Sequence, residues 1–357
     1  MKRIGGLWPQ VCNADNLYSA WRLARRGKRT RRAVNEFALN LEGELLSLRR
    51  QLQGLSWKPG GFRQFTIYER KPRLISAAPF ADRVVHHALM RVIEPPLDRQ
   101  FIYDSYACRK GKGVHQAVDR YQYFARRYAY VLKFDIASYF PSVDHEILKM
   151  TLHRRIKDKS VLWLCETIID HSPPALLNQQ LSYFNGDDLL TPLERSRGIP
   201  IGNLTSQFFA NLYLDQFDHW MCEQKRVPGY IRFVDDIFVF TDSLDELWRY
   251  LADAEHYLAG LRLRIHPHKQ QVHRCTEAVD VLGYRVSRCK RWLRNDNGHR
   301  FNRRLKRLQK QYAAGTADWD TIGPAVAGWC GHARHGETES LQEQLLYGTV
   351  FRRGVRH

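Results

Sequence analysis

Three aspartates are the residues of this chain best suited to do chemistry. Asp135 closes an apolar, strand-like run, Val131-Leu-Lys-Phe-Asp135-Ile136. Asp235 and Asp236 interrupt another, Arg232-Phe-Val-Asp-Asp-Ile-Phe-Val-Phe240. A carboxylate withdrawn from water without a partner is costly, and adjacent carboxylates repel. The pattern makes physical sense if a cation sits among the three. Mg²⁺ is the natural candidate, because it takes a few carboxylates and completes its shell with water and phosphate oxygens. Two such ions would stabilise the attacking hydroxyl and the leaving group of a phosphoryl transfer. Taken singly, Asp135 could be a cap and Asp235-Asp236 an acidic hairpin turn. Together, each set in strand-like surroundings, they point to a metal site.

The elements that must carry these residues follow from periodicity and breakers. The region 16–52 reads helical, with Asn16 as a capping residue and Val34, Phe37, Leu41, Leu45 and Leu48 at near-helical spacing. Trp57-Lys-Pro-Gly-Gly61 ends that pattern. Residues 65–68 and 73–76 read as short strands around a turn at Lys71-Pro72, and 82–93 as a helix that stops at Pro95-Pro96. Strands are expected over 130–136, over 231–234 with 237–241, and over 279–286. The second of these is a hairpin whose turn carries Asp235-Asp236. Helices are expected over 144–156, 159–171, 205–221 and 244–261. After Trp292 the chain turns basic and helical, with Phe301, Leu305 and Leu308 on one face. The expected class is α+β.

Charge points to a polyanionic partner. The 357 residues carry a formal net charge of +19, with 11 basic against 4 acidic residues over 1–50 and 12 against 6 over 291–357. Lys and Arg at that density suit a phosphate backbone, although a basic surface that binds nothing is the alternative. No apolar run approaches the ~20 residues of a membrane span. Gly5, Gly6, Pro9 and Gln10 stand where a signal peptide needs an apolar stretch. A cytoplasmic protein is expected. The seven cysteines form no CxxC pair, which argues against structural zinc and a disulfide framework.

In order along the chain, these residues resemble the reverse transcriptases. Asp135-Ile-Ala-Ser-Tyr-Phe140 resembles the first palm motif, and Phe233-Val-Asp-Asp236 the tyrosine-x-Asp-Asp box with Phe in place of Tyr. The resemblance implies that Asp135 and Asp235 bind both metals, with Asp236 supporting and the carbonyl of Ile136 as a further ligand. It makes Phe140 a steric gate against a ribose 2′-hydroxyl, though core packing would also explain a Phe there. Lys71-Pro-Arg73 resembles the motif that holds the incoming triphosphate. Residues 82–89, and 105–113 with Arg109 and Lys112, resemble blocks that line the template path. His266-Pro-His-Lys269 resembles the motif whose lysine protonates pyrophosphate, and Val281-Leu-Gly283-Tyr284 the primer-grip turn. Phe233, Gly283, Arg303 and Arg304, with Arg25, Arg26 and Lys28 near the start, are the expected template–primer contacts.

Gly198-Ile-Pro-Ile-Gly-Asn-Leu-Thr-Ser-Gln207 narrows the resemblance. Most of the family has Gln-Gly and then Ser-Pro here, whereas this chain has Ile201-Gly202 and Ser206-Gln207. That departure is similar to the reverse transcriptases of diversity-generating retroelements, which are related to group II intron and retron enzymes and make errors at template adenines. Residues 16–28 and Gly328-Trp-Cys-Gly-His332-Ala-Arg-His335 resemble the same subfamily; structural packing is favoured over metal binding for the two histidines. Ile201, Gly202 and Gln207 are then expected to shape the dNTP pocket. The implied fold is a right hand: fingers over 1–130, palm over 131–290 with an insertion at about 151–199, and a small helical thumb over 291–357. The implied cofactor is Mg²⁺, with Mn²⁺ as a substitute. Implied partners are dNTPs, a structured template RNA, the cDNA/RNA duplex and a small basic accessory protein, in a bacterial or phage-encoded system without a membrane. An antiviral-defence reverse transcriptase, or an idle RNA-binding protein on a polymerase scaffold, are the alternatives.

Overall fold

The computed structural model describes residues 3–68, 72–173 and 182–354. Helices and antiparallel sheets are mixed along the whole chain, as the α+β expectation had it. Strands β1 (Arg63–Tyr68) and β2 (Pro72–Ala77) form a two-stranded ribbon. The central sheet is built from β3 (Tyr130–Asp135), β4 (Gly229–Phe233), β5 (Asp236–Thr241) and β6 (Gln271–Arg274), in the order β4-β5-β3-β6. A third sheet follows from β7 (Val279–Val281), β8 (Tyr284–Val286) and β9 (Arg291–Leu293).

The central strands read as nearly unbroken apolar runs because both faces of the sheet are covered. Leu132, Phe134, Ile237 and Val239 face a core shared with the helices Leu204–His219 and Leu244–Gly260. Val131, Ile231, Phe238 and Phe240 face a second core. The helix Val114–Arg127 packs there with β7–β9, and so do Phe301 and Trp329 of the C-terminal helices Asn295–Ala313 and Trp319–Ala333. The Phe301 and Trp329 rings stack with centroids 4.0 Å apart.

Four local expectations are corrected. The helix Ala14–Ala24 is capped by Asn13, whose side chain accepts from the backbone of Asp15 and Asn16. Asn16 instead donates to the carbonyls of Val11 and Ala88 and accepts from Arg91, tying this helix to the helix Phe80–Asp98. That second helix runs through Pro95 and Pro96 to Asp98; burial of Leu97 offsets the two i→i−4 hydrogen bonds that the prolines cannot donate. The stretch 279–286 is a hairpin: Leu282 (φ 47°) and Gly283 (φ 95°) both adopt the left-handed conformation that a two-residue turn demands. Finally, the turn between β4 and β5 is Val234-Asp235, so Asp236 belongs to β5 and pairs with Phe233. None of the described helices is long and apolar enough to cross a membrane.

Candidate active site

The register of the central sheet places Asp135 directly opposite Asp236 across β3 and β5. Opposed residues of an antiparallel pair project from the same face, with Cβ atoms about 5 Å apart, and like charges there destabilise the sheet. Asp235, on the adjoining turn, is brought in by its own carbonyl, which accepts from the Ile136 N–H at 3.3 Å. Burial raises the Asp235 carboxyl above its ordinary range, opposed by Arg73 and Arg232. Burial likewise pushes Asp236 up to about 6, with Lys133 opposing the rise and Asp235 adding to it. These are carboxylates short of positive charge.

Basic side chains meet part of that need. The Lys269 ammonium forms an ion pair with Asp135. It is delivered by the segment 264–269, which bonds to the end of β3 through His266 N–H to the Asp135 carbonyl (2.7 Å) and Ala137 N–H to the Arg264 carbonyl (2.8 Å). Ile136 bridges Ile265 between those two bonds. Among the described residues, no three His, Cys, Asp or Glu side chains stand close enough to hold one metal ion as they are. Lys269 is paired with Asp135, Arg73 acts on Asp235 and Lys133 on Asp236. The donor set still fits a hard divalent cation: all-oxygen, closely juxtaposed in the backbone register, and electrostatically under-compensated.

The other expected nucleotide-pocket residues arrive on segments that meet this sheet end. Arg73 is exposed on β2; Lys71 lies outside the described residues. The Ser76 N–H donates to the Ile201 carbonyl at 3.1 Å, joining the ribbon to the loop 199–203. Asn203, buried, completes that junction by donating to the Ser76 carbonyl (2.9 Å) and accepting from Ala78 N–H (3.3 Å). Gly202 is required there: its φ is 109°, and a Cβ would come within 2.8 Å of Ile75 Cγ2. Phe140 is half-buried edge-on to Tyr139, its carbonyl accepting from Ile199 N–H at 3.0 Å. Gln207 is exposed on the first turn of the helix Leu204–His219.

The expected template–primer residues divide. Arg303 and Arg304 are exposed on the helix Asn295–Ala313, and Arg26 and Lys28 are exposed beyond the helix Ala14–Ala24. Arg25 stacks its guanidinium 4.0 Å over Trp21, and with Arg26 lines a cleft completed by Arg22, Arg29 and Arg91. Phe233 is half-buried at the end of β4, and Gly283 sits in the β7–β8 turn. Lys112 covers the Tyr103 ring at 3.4 Å and donates to its carbonyl. Arg109 has another task. Its side chain is 8% exposed, and its guanidinium is held by Asp98 and by the carbonyls of Asp98, Ile102 and Ser105. That is a strut for the loop 98–109 and not a hand held out to a phosphate.

Sequence reasoning missed Asn203, Lys133 and the buried Arg232. Arg232 had a legible signal: a full charge inside an otherwise apolar strand.

The family comparison agrees with this geometry. The family described as reverse transcriptase (RNA-dependent DNA polymerase) matches residues 58–286, which span every segment named around the aspartates. The chain belongs to the reverse transcriptase family. It is 26% identical over 190 residues to Protein YkfC of Escherichia coli (strain K12), covering 51% of this chain and 46% of that protein. It is 27% identical over 109 residues to nuclear intron maturase 1, mitochondrial, of Arabidopsis thaliana, covering 30% of this chain and 15% of the relative. With the putative COX1/OXI3 intron 2 protein of Saccharomyces cerevisiae it shares 22% identity over 162 residues, 45% of this chain and 16% of that protein. The chain thus spans less than half the length of these relatives.

Proposed function

We propose that this reverse transcriptase is an RNA-directed DNA polymerase that adds dNTPs to a 3′-hydroxyl and releases pyrophosphate. The observation that carries the reading is the cross-strand opposition of Asp135 and Asp236 beside the Asp235 turn. Asp135 and Asp235 are the residues to hold a divalent metal pair, Mg²⁺ or Mn²⁺ in its place, with Asp236 and the Ile136 carbonyl in support. Bound there, the metal pair would supply stabilisation of the charge on the attacking and leaving oxygens. Arg73, with Lys71, holds triphosphate oxygens; Phe140 crowds the ribose 2′ position; Lys269 gives its proton to the leaving pyrophosphate. In this reading the β1–β2 ribbon belongs to the fingers, the central sheet to the palm and the helices after residue 294 to the thumb. Primer extension by the parent chain against Asp235→Ala tests it: equal signal from the two proteins ends the polymerase assignment.

The loop 198–207 favours a finer reading, an enzyme of the diversity-generating retroelement type that copies a structured RNA with errors at adenines. A Gln at position 201 can hydrogen-bond around the nascent pair, whereas Ile201 cannot, and sites that use polar contacts discriminate far better than apolar ones. The half-burial of Ile201 beside the ribbon suits that role and suits simple packing equally. Sequencing cDNA made by Ile201→Gln separates the two, since an unchanged error rate at template adenines removes the first. A basic accessory protein belongs to this finer reading, and copurification with the template RNA is its test.

A further inference from the structure

Among the described residues, Arg232 is the largest of the side chains wholly withdrawn from solvent. A guanidinium presents five N–H donors and does not give up its charge in a protein. Its burial therefore demands a full set of partners. Nε and Nη2 grip both oxygens of Asp218, also fully buried, with shortest contacts of 2.7 and 2.6 Å. Asp218 accepts a further bond from the Tyr230 hydroxyl at 2.7 Å. Nη2 reaches the Asn211 carbonyl (3.3 Å), and Nη1 donates to Asn211 Oδ1 (3.1 Å). The remaining contact is the informative one: Nη1 donates to the carbonyl of Val234 at 3.1 Å.

Val234 is the first residue of the two-residue turn that carries Asp235, and its φ is 57°. A β-branched residue is a poor occupant of the left-handed region. Such a conformation persists only where its surroundings over-determine it. The peptide unit is planar, so a donor fixed on the Val234 carbonyl also fixes the orientation of the Asp235 N–H and constrains the direction in which the Asp235 side chain leaves the backbone. The donor is itself immobile. Arg232 bonds through its main chain to the Asp104 carbonyl and the Tyr106 N–H, and Asn211 Nδ2 holds the Ala107 carbonyl at 2.7 Å. One buried network thus anchors the turn to the helix Leu204–His219 and to the segment 104–107.

We propose that Arg232, seated on Asp218, is a positioning residue that holds the Val234–Asp235 peptide and so aims the Asp235 carboxylate at the metal position beside Asp135; the role rests on the polymerase reading above. A buried ion pair is weak evidence for stability, because well-packed apolar residues of similar volume often serve as well. Orientation is what such residues cannot supply.

The test uses the full chain in two forms that treat the charge differently. Asp218→Leu with Arg232→Met removes both charges, leaving neither orphaned. Arg232→Lys keeps the charge but loses the fork that spans Asp218 and Val234. For each, cooperative melting, primer–template affinity, Mn²⁺ affinity by titration, and extension rate across a Mg²⁺ series are measured. Expected are cooperative melting, primer–template affinity within about two-fold, Mn²⁺ affinity weakened about ten-fold or more, and turnover lowered about 100-fold with the dNTP KM little changed. Parent-level Mn²⁺ affinity and turnover in either melting-competent variant overturns the proposal. So does loss of cooperative melting in both, which would assign the pair to folding alone. Extension by the parent protein, with Asp235→Ala as its control, checks the polymerase reading separately. If the parent fails to extend, Mn²⁺ affinity still reports on the turn.

Discussion

Asp135 faces Asp236 across two central strands with no residue between them in the register. Opposed like charges destabilise an antiparallel pair, and Asp236 carries a second cost, being pushed up to about 6 by burial, with Asp235 contributing. Replacing Asp236 by Asn removes one of the repelling charges while keeping the shape. In the presence of a chelator the variant is expected to melt higher than the parent by about 1–3 °C, and to extend primers more slowly in Mg²⁺. Differential scanning calorimetry with EDTA decides the first point. A melting temperature at or below the parent value would mean that the opposition carries no strain.

Lys269 and a divalent cation compete for the same carboxylate, because the ammonium is paired with Asp135 in the structure. Lys269→Met is therefore expected to lower the Mg²⁺ concentration needed for half-maximal extension. If Lys269 also supplies the proton to pyrophosphate, the maximal rate falls about 100-fold or more, the scale typical of a lost general acid. A Mg²⁺ titration of single-turnover rates reads both. A raised Mg²⁺ requirement would contradict the competition.

Much of the site was legible before the structure because its signals are local. The run Val131 to Asp135 and the hairpin around Asp235 stand out as apolar strands bearing acids, and both strands form. What stayed hidden depends on distant contacts. Strand β6 is short, polar and half-exposed, and it exists because its backbone completes the edge of β3. Pro95 and Pro96 signalled a stop that the burial of Leu97 overrides. Arg109 looks like any basic residue in a Gly-Lys loop; only folding brings Asp98 and two further carbonyls around it. Asn203 joins elements 127 residues apart, and no periodicity encodes that.

Asn203 couples the β1–β2 ribbon to the loop 199–203, proposed above to line the nucleotide pocket, through Ser76 and Ala78. Asn203→Ala leaves a buried carbonyl and N–H without this partner, at about 1–3 kcal/mol. Freed from its clasp, the ribbon should hold Arg73, the proposed triphosphate contact, less steadily. The expected kinetic result is a raised dNTP KM with primer–template affinity unchanged, measured by steady-state extension and filter binding. An unaltered KM in a folded variant would assign Asn203 to stability only.

Arg303 and Arg304 project into solvent, whereas Arg109 is enclosed. If the first two touch phosphates, Arg303→Gln with Arg304→Gln should shrink the slope of log affinity against log salt by about 1–2, near one counterion per contact. Arg109→Gln should leave that slope unchanged and lower the melting temperature instead. The salt dependence of primer–template binding distinguishes them. Identical slopes for the double variant and the parent would remove both arginines from the nucleic-acid path.

His219 gives a pH signature of its own. Its side chain is 24% exposed and is pushed up to about 10, chiefly by buried Asp215, whose carboxylate lies 3.5 Å from Nε2, with Glu223 assisting and burial opposing. Nδ1 lies 2.6 Å from Glu223, and Nε2 lies 2.9 Å from the Gln100 carbonyl; Arg155 pairs with Asp215 from the other side. The folded state therefore holds a proton that an unfolded histidine releases near its ordinary value of 6.5. Below about pH 6.5 both states are protonated and the stabilisation is complete. Between there and about pH 10 the unfolded state loses its proton first, so stability declines as pH rises and the contribution is gone once the folded histidine also titrates. His219→Gln keeps a polar group in place without the charge. Melting curves across that window should show the parent losing several degrees more than the variant, a difference that cancels the tyrosines, lysines and cysteines common to both. Parallel curves would mean that His219 is neutral in the folded protein at neutral pH, with Asp215 satisfied by Arg155 without it.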